Sequence, residues 1–268
     1  MSATLKSTLL DVLKELHLPT VRVCYEEEAN RSRREALSYE QYLFEVMSAE
    51  HEARRENRIA RLLRESRLPL EKNLESFEMK RLPGAFSAQV RTLLDGSFLD
   101  RRENVLAFGN PGSGKTHLLC AIGQELIHEG RRIYFSPCSL LVQDLLIAKR
   151  DLKLSRLLKH LARYDALLID DIGYVQQGRE EMEVLFTLLA ERYERGSVMI
   201  TSNLPFSKWE AIFKDPMTTA AAIDRLVHHA IILELTGKSY RGDEAEKRNQ
   251  STKGSAAKND GVSPQAQT

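Results

Sequence analysis

The stretch NVLAFGNPGSGKTHL, residues 104–118, joins an apolar run to a glycine-rich loop near the middle of the chain. Within it, Gly109–Thr116 fit the pattern G-x-x-x-x-G-K-[ST]. Glycines let successive backbone N–H groups converge on a phosphate at a helix N-terminus, where the helix dipole favours negative charge. The apolar run predicts a strand over 104–108, and residues 117–129 predict a helix that Gly130 ends. A phosphate-binding loop requires this strand before it and this helix after it.

The residue types of the loop indicate its chemistry. We predict that Lys115 reaches the β- and γ-phosphates of a nucleotide and that the Thr116 hydroxyl ligates Mg²⁺. The predicted nucleotide contacts are Gly109, Asn110, Pro111, Gly112, Ser113, Gly114, Lys115, Thr116 and His117.

Two further apolar runs end in polar side chains. Residues 166–169 precede Asp170 and Asp171, as expected of a buried parallel strand whose carboxyl end lies beside the loop. We predict that Asp170 holds Mg²⁺, directly or through water, and that Asp171 orients or deprotonates an attacking water. Residues 198–203 deliver Asn203, a candidate hydrogen-bond partner for that water or for the γ-phosphate. Taken alone, two acids also open ordinary loops, and asparagine is also a common turn former.

Several basic residues allow two interpretations each. Arg225 lies on a helix predicted before the last strand, either as a solvated or ion-paired residue or as an arginine finger for a neighbouring subunit. Arg241 is either a nucleotide contact or a charge of the C-terminal tail. The helical pattern over 153–163 places positive charges on one face, which is typical of a solvated surface or of contacts to DNA phosphates. The charges proposed for DNA on this helix are Lys153, Arg156 and Lys159.

Composition limits the classes of function. The 268 residues carry 39 Lys and Arg against 38 Asp and Glu, a net charge of +1, so overall charge does not indicate a nucleic-acid partner. The cysteines Cys24, Cys120 and Cys138 are widely spaced and predict free thiols in a reducing cytoplasm. The histidines form no metal-ligand pattern, and we interpret the pair His228-His229 as structural. No apolar run approaches the roughly 20 residues that span a bilayer, so we expect a cytoplasmic protein without a membrane partner.

Hydrophobic periodicity divides the chain into three regions. Residues 1–75 show helical patterns only, with one helix that stops at Pro19, a second over 20–36 and a third from Ser38. Residues 76–241 alternate β-rich runs with helical patterns, which predicts an α/β domain with a parallel sheet. Residues 242–268 lack apolar periodicity, so we expect a disordered tail. The predicted strands are 104–108, 132–136, 166–170, 197–201 and 230–235.

The helical region ends in a stretch of local positive charge. Between Arg54 and Arg81, nine Lys and Arg stand against five Asp and Glu. Positive charge at helical spacing is sufficient for sequence-independent contact with DNA phosphates. The candidates for this contact are Arg54, Arg55, Arg58 and Arg61.

The chain resembles the AAA+ ATPases and, within them, the IstB branch of ATP-binding helper proteins of insertion-sequence transposition. Five motifs in register carry the resemblance: FGNPGSGKTHLLCAIG, YDALLIDDIGY, VMITSNLPFSKW, AIDRLVHHA and GKSYR. It covers roughly residues 5–241. It implies a P-loop AAA+ domain, with a five-stranded parallel sheet in the order 5-1-4-3-2, that follows a small all-helical domain.

The resemblance also implies a function. The N-terminal region would support DNA binding and self-assembly, and the AAA+ domain would bind ATP and Mg²⁺, form homo-oligomers with shared active sites on duplex DNA, and assist a transposase. By position, Gly109–Thr116 bind ATP, Asp170 binds Mg²⁺, Asp171 and Asn203 position the water, and Arg225 is the finger. Because AAA+ proteins at large carry glutamate where this chain has Asp171, the base is one methylene shorter. We therefore expect slow hydrolysis that DNA or assembly stimulates.

Three alternatives stay open at this point. A DnaC-type loader would serve a replicative helicase instead of a transposase. A small-molecule kinase would need an acceptor pocket and a basic lid, and the sequence shows neither. A DNA-binding scaffold that does not hydrolyse ATP is disfavoured by the intact Lys115, Thr116 and Asp170.

Overall fold

The structure is a computed structural model that describes residues 3–79, 84–173, 178–205, 208–209 and 216–235. Arg241 and the tail 242–268 lie outside the described residues. The described helices are α1 (Ala3–Glu15), α2 (Pro19–Glu35), α3 (Tyr39–Ser66), α4 (Gly84–Leu94), α5 (Ser97–Asp100), α6 (Lys115–His128), α7 (Cys138–Arg150), α8 (Leu154–Leu161), α9 (Arg179–Arg192) and α10 (Pro216–Val227). The described strands are β1 (Asn104–Gly109), β2 (Ile133–Pro137), β3 (Ala166–Asp170), β4 (Ser197–Ser202) and β5 (Ala230–Leu235).

The chain divides into two compact units, one ending at Leu62 and the other beginning at Leu63, within α3. In the first unit α1, α2 and α3 share a small apolar core. Its buried members are Leu13, Val21, Tyr25 and Val46. The sequence predicts that the first helix stops at Pro19, but α1 ends at Glu15 and Pro19 lies in the first turn of α2. Proline suits that turn because its missing N–H would have no partner there.

A buried carboxylate, Glu50 of α3, holds the start of α2. One oxygen of Glu50 accepts the backbone N–H groups of Thr20 (2.8 Å) and Val21 (3.2 Å), which α2 itself leaves without partners. The other oxygen accepts Nε of Arg54 at 2.7 Å. Burial opposes the charge of Glu50, but the bonds from Arg54, Val21 and Thr20 outweigh it and hold the pKa of this carboxyl below its usual value. Glu50 therefore stays ionised at neutral pH and caps α2.

The second unit contains a five-stranded parallel sheet in the order β2-β3-β4-β1-β5. This is the order 5-1-4-3-2 that the family resemblance implies, and the five strands predicted from apolar runs agree with those observed to within one residue at each end. β4 is buried along its whole length, as a central strand covered on both faces must be. Because every pairing is parallel, all five carboxyl ends meet at one edge of the sheet, which we call the carboxyl edge.

Helices pack against the sheet and complete the core. One apolar cluster joins side chains of α7, α8, α9 and α10 to β3 and β4, with Leu145, Leu168 and Leu185 among the fully buried residues of the unit. α6 contacts β1, β3 and β4 and runs beside α4. Among the described residues, no helix has the length and the apolar character that crossing a membrane demands.

The opposite edge, which we call the amino edge, is fixed by a buried arginine. Arg192, at the end of α9, is 4% exposed. Its guanidinium donates to four backbone carbonyl groups, those of Leu161, Tyr164, Asp165 and Ser197. Burial lowers the pKa of Arg192 to about 10, which still leaves it charged at neutral pH. One side chain thus holds the chain segments that enter β3 and β4 in register.

Candidate nucleotide site

The glycine-rich loop turns sharply between β1 and α6. Gly109 and Gly114 have φ angles of 151° and 92°, and Gly114 caps α6 in the left-handed conformation. A Cβ on Gly109 would lie 2.3 Å from the carbonyl oxygen of Leu235 at the end of β5. Glycine at these positions lets β1 approach β5 and lets the chain turn directly into the helix.

Lys115 is the first residue of α6 and is 8% exposed. Its Nζ donates to the carbonyl oxygens of Gly109 (2.8 Å) and Asn110 (2.9 Å), so the ammonium charge lies against the loop backbone. The Ser113 hydroxyl is buried and has no hydrogen-bond partner among the described residues. The loop therefore concentrates one positive charge and one unpartnered hydroxyl at a helix N-terminus, which favours an anion.

The carboxylate of Asp170 joins three elements at the carboxyl edge. Its Oδ1 accepts the hydroxyl of Thr116, in α6, at 2.7 Å and the hydroxyl of Thr201, in β4, at 2.6 Å. Both distances are typical of hydroxyl bonds to a charged oxygen. The predicted Mg²⁺ residues Thr116 and Asp170 are therefore in direct contact, and they offer the oxygen ligands that Mg²⁺ prefers.

Thr201 also orients the second acid. Its Oγ1 accepts the backbone N–H of Asp171 at 2.7 Å, and the threonine is 1% exposed. Asp171 itself has a φ of 63°, an uncommon conformation for a residue other than glycine, and its side chain is exposed. The sequence-based prediction did not include Thr201. The available signal was the register of two neighbouring strands, since Thr201 stands directly beyond Ile200, the partner of Ile169.

Asn203 follows β4 at the same edge. Its side-chain oxygen is buried and, within the described parts of the chain, has no hydrogen-bond partner. Leu204 next to it is held by Ser202, whose hydroxyl accepts the Leu204 amide, and by Trp209, whose Nε1 donates to the Leu204 carbonyl at 3.1 Å. A fixed backbone therefore supports an amide oxygen that has no described partner and that can accept a hydrogen from a water, whereas a bond to the γ-phosphate would have to come from the amide NH₂ group.

His117 points away from the loop and towards the segment before α4. Its Nε2 lies 3.0 Å from the carbonyl oxygen of Asn73 and 3.0 Å from the Ser76 hydroxyl, and its ring meets Phe77 edge to face. Two helical turns further along α6, Gln124 donates to the carbonyl oxygens of Pro69 and Lys72. The structure thus ties residues 69–77 to the helix that follows the loop, and a nucleotide contact of His117 stays a prediction.

Arg225 lies at the amino edge, away from the loop of its own chain. Its guanidinium carbon is 4.8 Å from the centre of the Phe186 ring, which is cation–π geometry. Arg225 lines a cavity of about 180 Å³ together with Asn104, the first residue of β1, and His229, which precedes β5. Its Nη1 is buried and has no hydrogen-bond partner among the described residues. The structure therefore does not bring Arg225 together with Thr116, Asp170 and Asp171.

The two groups of candidate DNA residues lie on exposed surfaces. On α8 the leucines pack against the core, whereas Arg156 and Lys159 are exposed and Lys153 pairs with Asp151 at 3.1 Å. The α3 candidates are Arg54, Arg55, Arg58 and Arg61, and all four are exposed. Arg54 pairs with Glu50, and Arg55 pairs with Glu52. The positive charge of α3 is thus partly neutralised within the helix itself.

Similar solved structures support the fold. DnaI has a TM-score of 0.52 at 20% identity, over 65% of this chain and 94% of the DnaI chain. DnaA of Aquifex aeolicus, solved with AMPPCP bound, has a TM-score of 0.50 at 20% identity, over 63% of this chain and 51% of the DnaA chain. The chain therefore spans about half the length of DnaA. These likenesses show that the second unit has the P-loop AAA+ fold.

Curated relatives share more sequence than these structures do. A protein of Sinorhizobium fredii named as an insertion sequence ATP-binding protein is 42% identical over 86% of this chain and 78% of its own length. The proteins named for insertion sequences IS5376 of Geobacillus stearothermophilus and IS21 of Pseudomonas aeruginosa are each 35% identical. Those two matches cover 88% and 90% of this chain and more than nine-tenths of the relatives.

The sequence profile of one family matches nearly the whole chain. The family is described as IstB-like ATP binding protein, and the match runs over residues 11–249. It includes the glycine-rich loop, the two acids and the strand end that carries Asn203. The chain belongs to the IstB-like ATP-binding protein family.

Proposed function

We propose that the chain is an ATPase that binds ATP and Mg²⁺, assembles on duplex DNA and assists a transposase in the transposition of an insertion sequence. One observation carries the enzymatic part: the Asp170 carboxylate binds the hydroxyls of both Thr116 and Thr201 at the carboxyl edge. Membership of the IstB-like family and the insertion sequence names of the relatives support the rest.

The residues present fit ATP and Mg²⁺. The backbone of Gly109–Thr116 receives the phosphates, and Lys115 exchanges its two loop carbonyl bonds for bonds to phosphate oxygens. Thr116 and Asp170 hold Mg²⁺, which when bound neutralises charge on the phosphate oxygens. The Ser113 hydroxyl, which has no described partner, can donate to a phosphate oxygen, and the buried oxygen of Asn203 can accept from a water of the same region.

Hydrolysis needs a positioned water. Asp171 accepts a proton from the attacking water or orients it, and Asn203 fixes that water from β4. Thr201 is a positioning residue, because its hydroxyl binds the Asp170 carboxylate and the Asp171 amide at once. Since the aspartate side chain is one methylene shorter than glutamate, proton transfer is less well aligned. The proposed turnover is therefore slow, and DNA and assembly stimulate it.

Arg225 acts on a neighbouring subunit. At the amino edge it is remote from its own loop, and its Nη1 has no described partner. An arginine that reaches a neighbour's γ-phosphate stabilises charge in the transition state, which is worth about 10³–10⁵ in rate. The proposed assembly is thus a homo-oligomer in which each active site combines the loop of one chain with Arg225 of the next.

DNA is bound through its phosphates. The exposed residues Arg156 and Lys159 on α8, with Lys153 at its start, form one proposed surface. A second proposed surface lies in the helical N-terminal region, proposed as residues 1–75, and consists of Arg54, Arg55, Arg58 and Arg61. A transposase is the proposed protein partner. A pull-down with the ATP-bound, DNA-bound assembly tests this choice. The assembly should capture the cognate transposase but not a replicative helicase. The reverse result favours a helicase loader.

The first prediction separates nucleotide binding from turnover. Lys115→Ala removes a charged hydrogen-bond donor, worth about 1.5–3 kcal/mol, and should weaken ATP binding roughly 10- to 100-fold in a calorimetric titration. Asp171→Asn should keep ATP affinity but lower phosphate release by about 10²–10⁴-fold, because only the base is lost. Asp144→Asn, at an exposed position of α7, is the matched control and should change neither quantity. Unchanged ATP affinity in Lys115→Ala would refute the assignment of the loop.

The second prediction concerns the shared site. Lys115→Ala still offers Arg225, and Arg225→Ala still offers a loop, so mixed assemblies contain some complete sites. Each variant alone should release phosphate at a small fraction of the normal rate, and mixing them should restore part of it. The control is a mixture of Lys115→Ala with a double variant that carries both Asp171→Asn and Arg225→Ala. No site in this mixture is complete, because the double variant's loop lacks its base. If mixing restores nothing although the variants co-assemble by cross-linking, Arg225 does not act between subunits.

The third prediction concerns DNA. The slope of log affinity against log salt is negative. Replacing Lys153, Arg156 and Lys159 together by alanine should reduce its magnitude by about 2–3, since each lost phosphate contact reduces that magnitude by roughly 0.9. Fluorescence anisotropy with duplexes of unrelated sequence measures this slope and should show little dependence on sequence.

The control for this DNA experiment removes the same charge elsewhere. Arg91, Arg179 and Arg195 are exposed on other parts of the second unit, and their triple alanine variant should keep the original slope. Equal slopes for both triple variants would mean that α8 is an ordinary solvated helix.

A further inference from the structure

Three potential metal ligands meet at the amino edge, outside the nucleotide site. Glu194 follows α9, and His228 and His229 form the turn between α10 and β5. One ligating atom from each of these three side chains lies within 4.8 Å of the others, and all three residues are exposed. The sequence gives no metal-ligand spacing here, because Glu194 stands 34 positions before His228. The fold alone brings them together.

The three side chains match the chemistry of a zinc-type ion. Two imidazoles and one carboxylate are a common ligand set for Zn²⁺, with water in the fourth position. Metal–ligand distances of about 2.0–2.2 Å place tetrahedral ligand atoms roughly 3.4 Å apart. The ligand atoms of the three side chains lie within 4.8 Å of one another. Because these side chains are exposed, we expect their rotation to shorten the distances to that spacing without a change in the backbone.

Hydrogen bonds fix one of the imidazoles and the backbone that carries the ligands. The Tyr193 hydroxyl lies 3.1 Å from Nδ1 of His228, so Nε2 is the nitrogen of this imidazole that would be the ligand. A hydrogen bond on the second ring nitrogen is what most metal-binding histidines have. The turn itself is fixed by the His228 amide, which donates to the Asp224 carbonyl at 2.9 Å, and the Glu194 carbonyl accepts a guanidinium hydrogen of Arg102.

The ligand types select among cations. Glu194 and His229 line the same cavity of about 180 Å³ as the three arginines Arg101, Arg102 and Arg225. This positive charge opposes every divalent cation, and a single carboxylate offers Mg²⁺ or Ca²⁺ few of the oxygen ligands that they need to overcome it. Imidazole nitrogens instead favour Zn²⁺ and its transition-metal neighbours.

We propose that Glu194, His228 and His229 bind one divalent transition metal ion of the zinc class, with water completing the coordination. The ion joins the turn after α10, three residues beyond Arg225, to the segment that enters β4. It thereby restrains the end of the helix that carries Arg225. The site is independent of the ATP site, and the proposal does not rest on hydrolysis.

The test uses the full chain without a histidine tag, freed of metal by a chelator, and titrated with Co²⁺ in the absence of nucleotide. Tetrahedral Co²⁺ absorbs visible light strongly, and Zn²⁺ should displace it. The expected stoichiometry is one ion per chain. His229→Asn and Glu194→Gln should each weaken Co²⁺ binding by about 10-fold or more. Zn²⁺ should raise the melting temperature of the original chain but not that of His229→Asn.

Three controls exclude other sites. His128→Asn removes an exposed histidine at the end of α6 and should leave Co²⁺ binding intact. Asp170→Asn removes the proposed Mg²⁺ ligand and should leave the Co²⁺ spectrum intact. Cys24→Ser removes the most accessible of the three thiols and should also leave the Co²⁺ spectrum intact. Equal Co²⁺ affinity in His229→Asn and in the original chain, or loss of the spectrum in any control variant, would overturn the proposal.

Discussion

The hydroxyl-to-carboxylate bonds at Asp170 are the interaction on which the candidate site depends. Thr116 comes from the helix after β1 and Thr201 from the end of β4, and both donate to the same oxygen of an acid at the end of β3. These groups meet only because β4 lies between β3 and β1 in an all-parallel sheet. A change of strand order, or a slip of β4 by one residue, would turn Thr201 to the other face of the sheet and separate the two acids from the loop. The geometry of the site therefore depends on the strand order and register of the sheet.

The two edges of the sheet divide the chemistry between them. The carboxyl edge gathers the loop, the acids and Asn203. The amino edge is fixed by Arg192 and carries Arg225 with the Glu194, His228 and His229 cluster. A residue at one edge cannot serve a nucleotide at the opposite edge of the same chain, so a role for Arg225 in hydrolysis requires a second copy. Because the Glu194, His228 and His229 cluster lies near Arg225, the proposed metal site is beside the surface that we propose meets a second copy.

Local patterns made the strands and the loop predictable from the sequence. Contacts between residues far apart in the chain were not predictable. The strands were predicted from apolar runs between helical patterns, and the loop Gly109–Thr116 was predicted from the spacing of its residues. Both signals are contained in a short stretch of sequence. Thr201 was missed because its importance comes from a neighbouring strand 30 residues earlier. Glu50 capping α2 and Glu194 beside His228 likewise depend on which segments fold together. The orientation of His117 towards Asn73 was hidden for the same reason, since position beside the loop does not fix where a side chain points.

The coupling between Mg²⁺ and ATP tests the central claim most directly. Trp209 is the only tryptophan of the chain, and its ring lies 6.2 Å from that of Phe108, which precedes the loop, so its fluorescence is a natural readout of ATP binding. ATP affinity should be measured with and without Mg²⁺ in the original chain and in Asp170→Asn. If Asp170 holds Mg²⁺, the ion should tighten ATP binding in the original chain, and Asp170→Asn should lose this gain while its Mg²⁺-free affinity persists. The same Mg²⁺-dependent gain in Asp170→Asn would contradict the account.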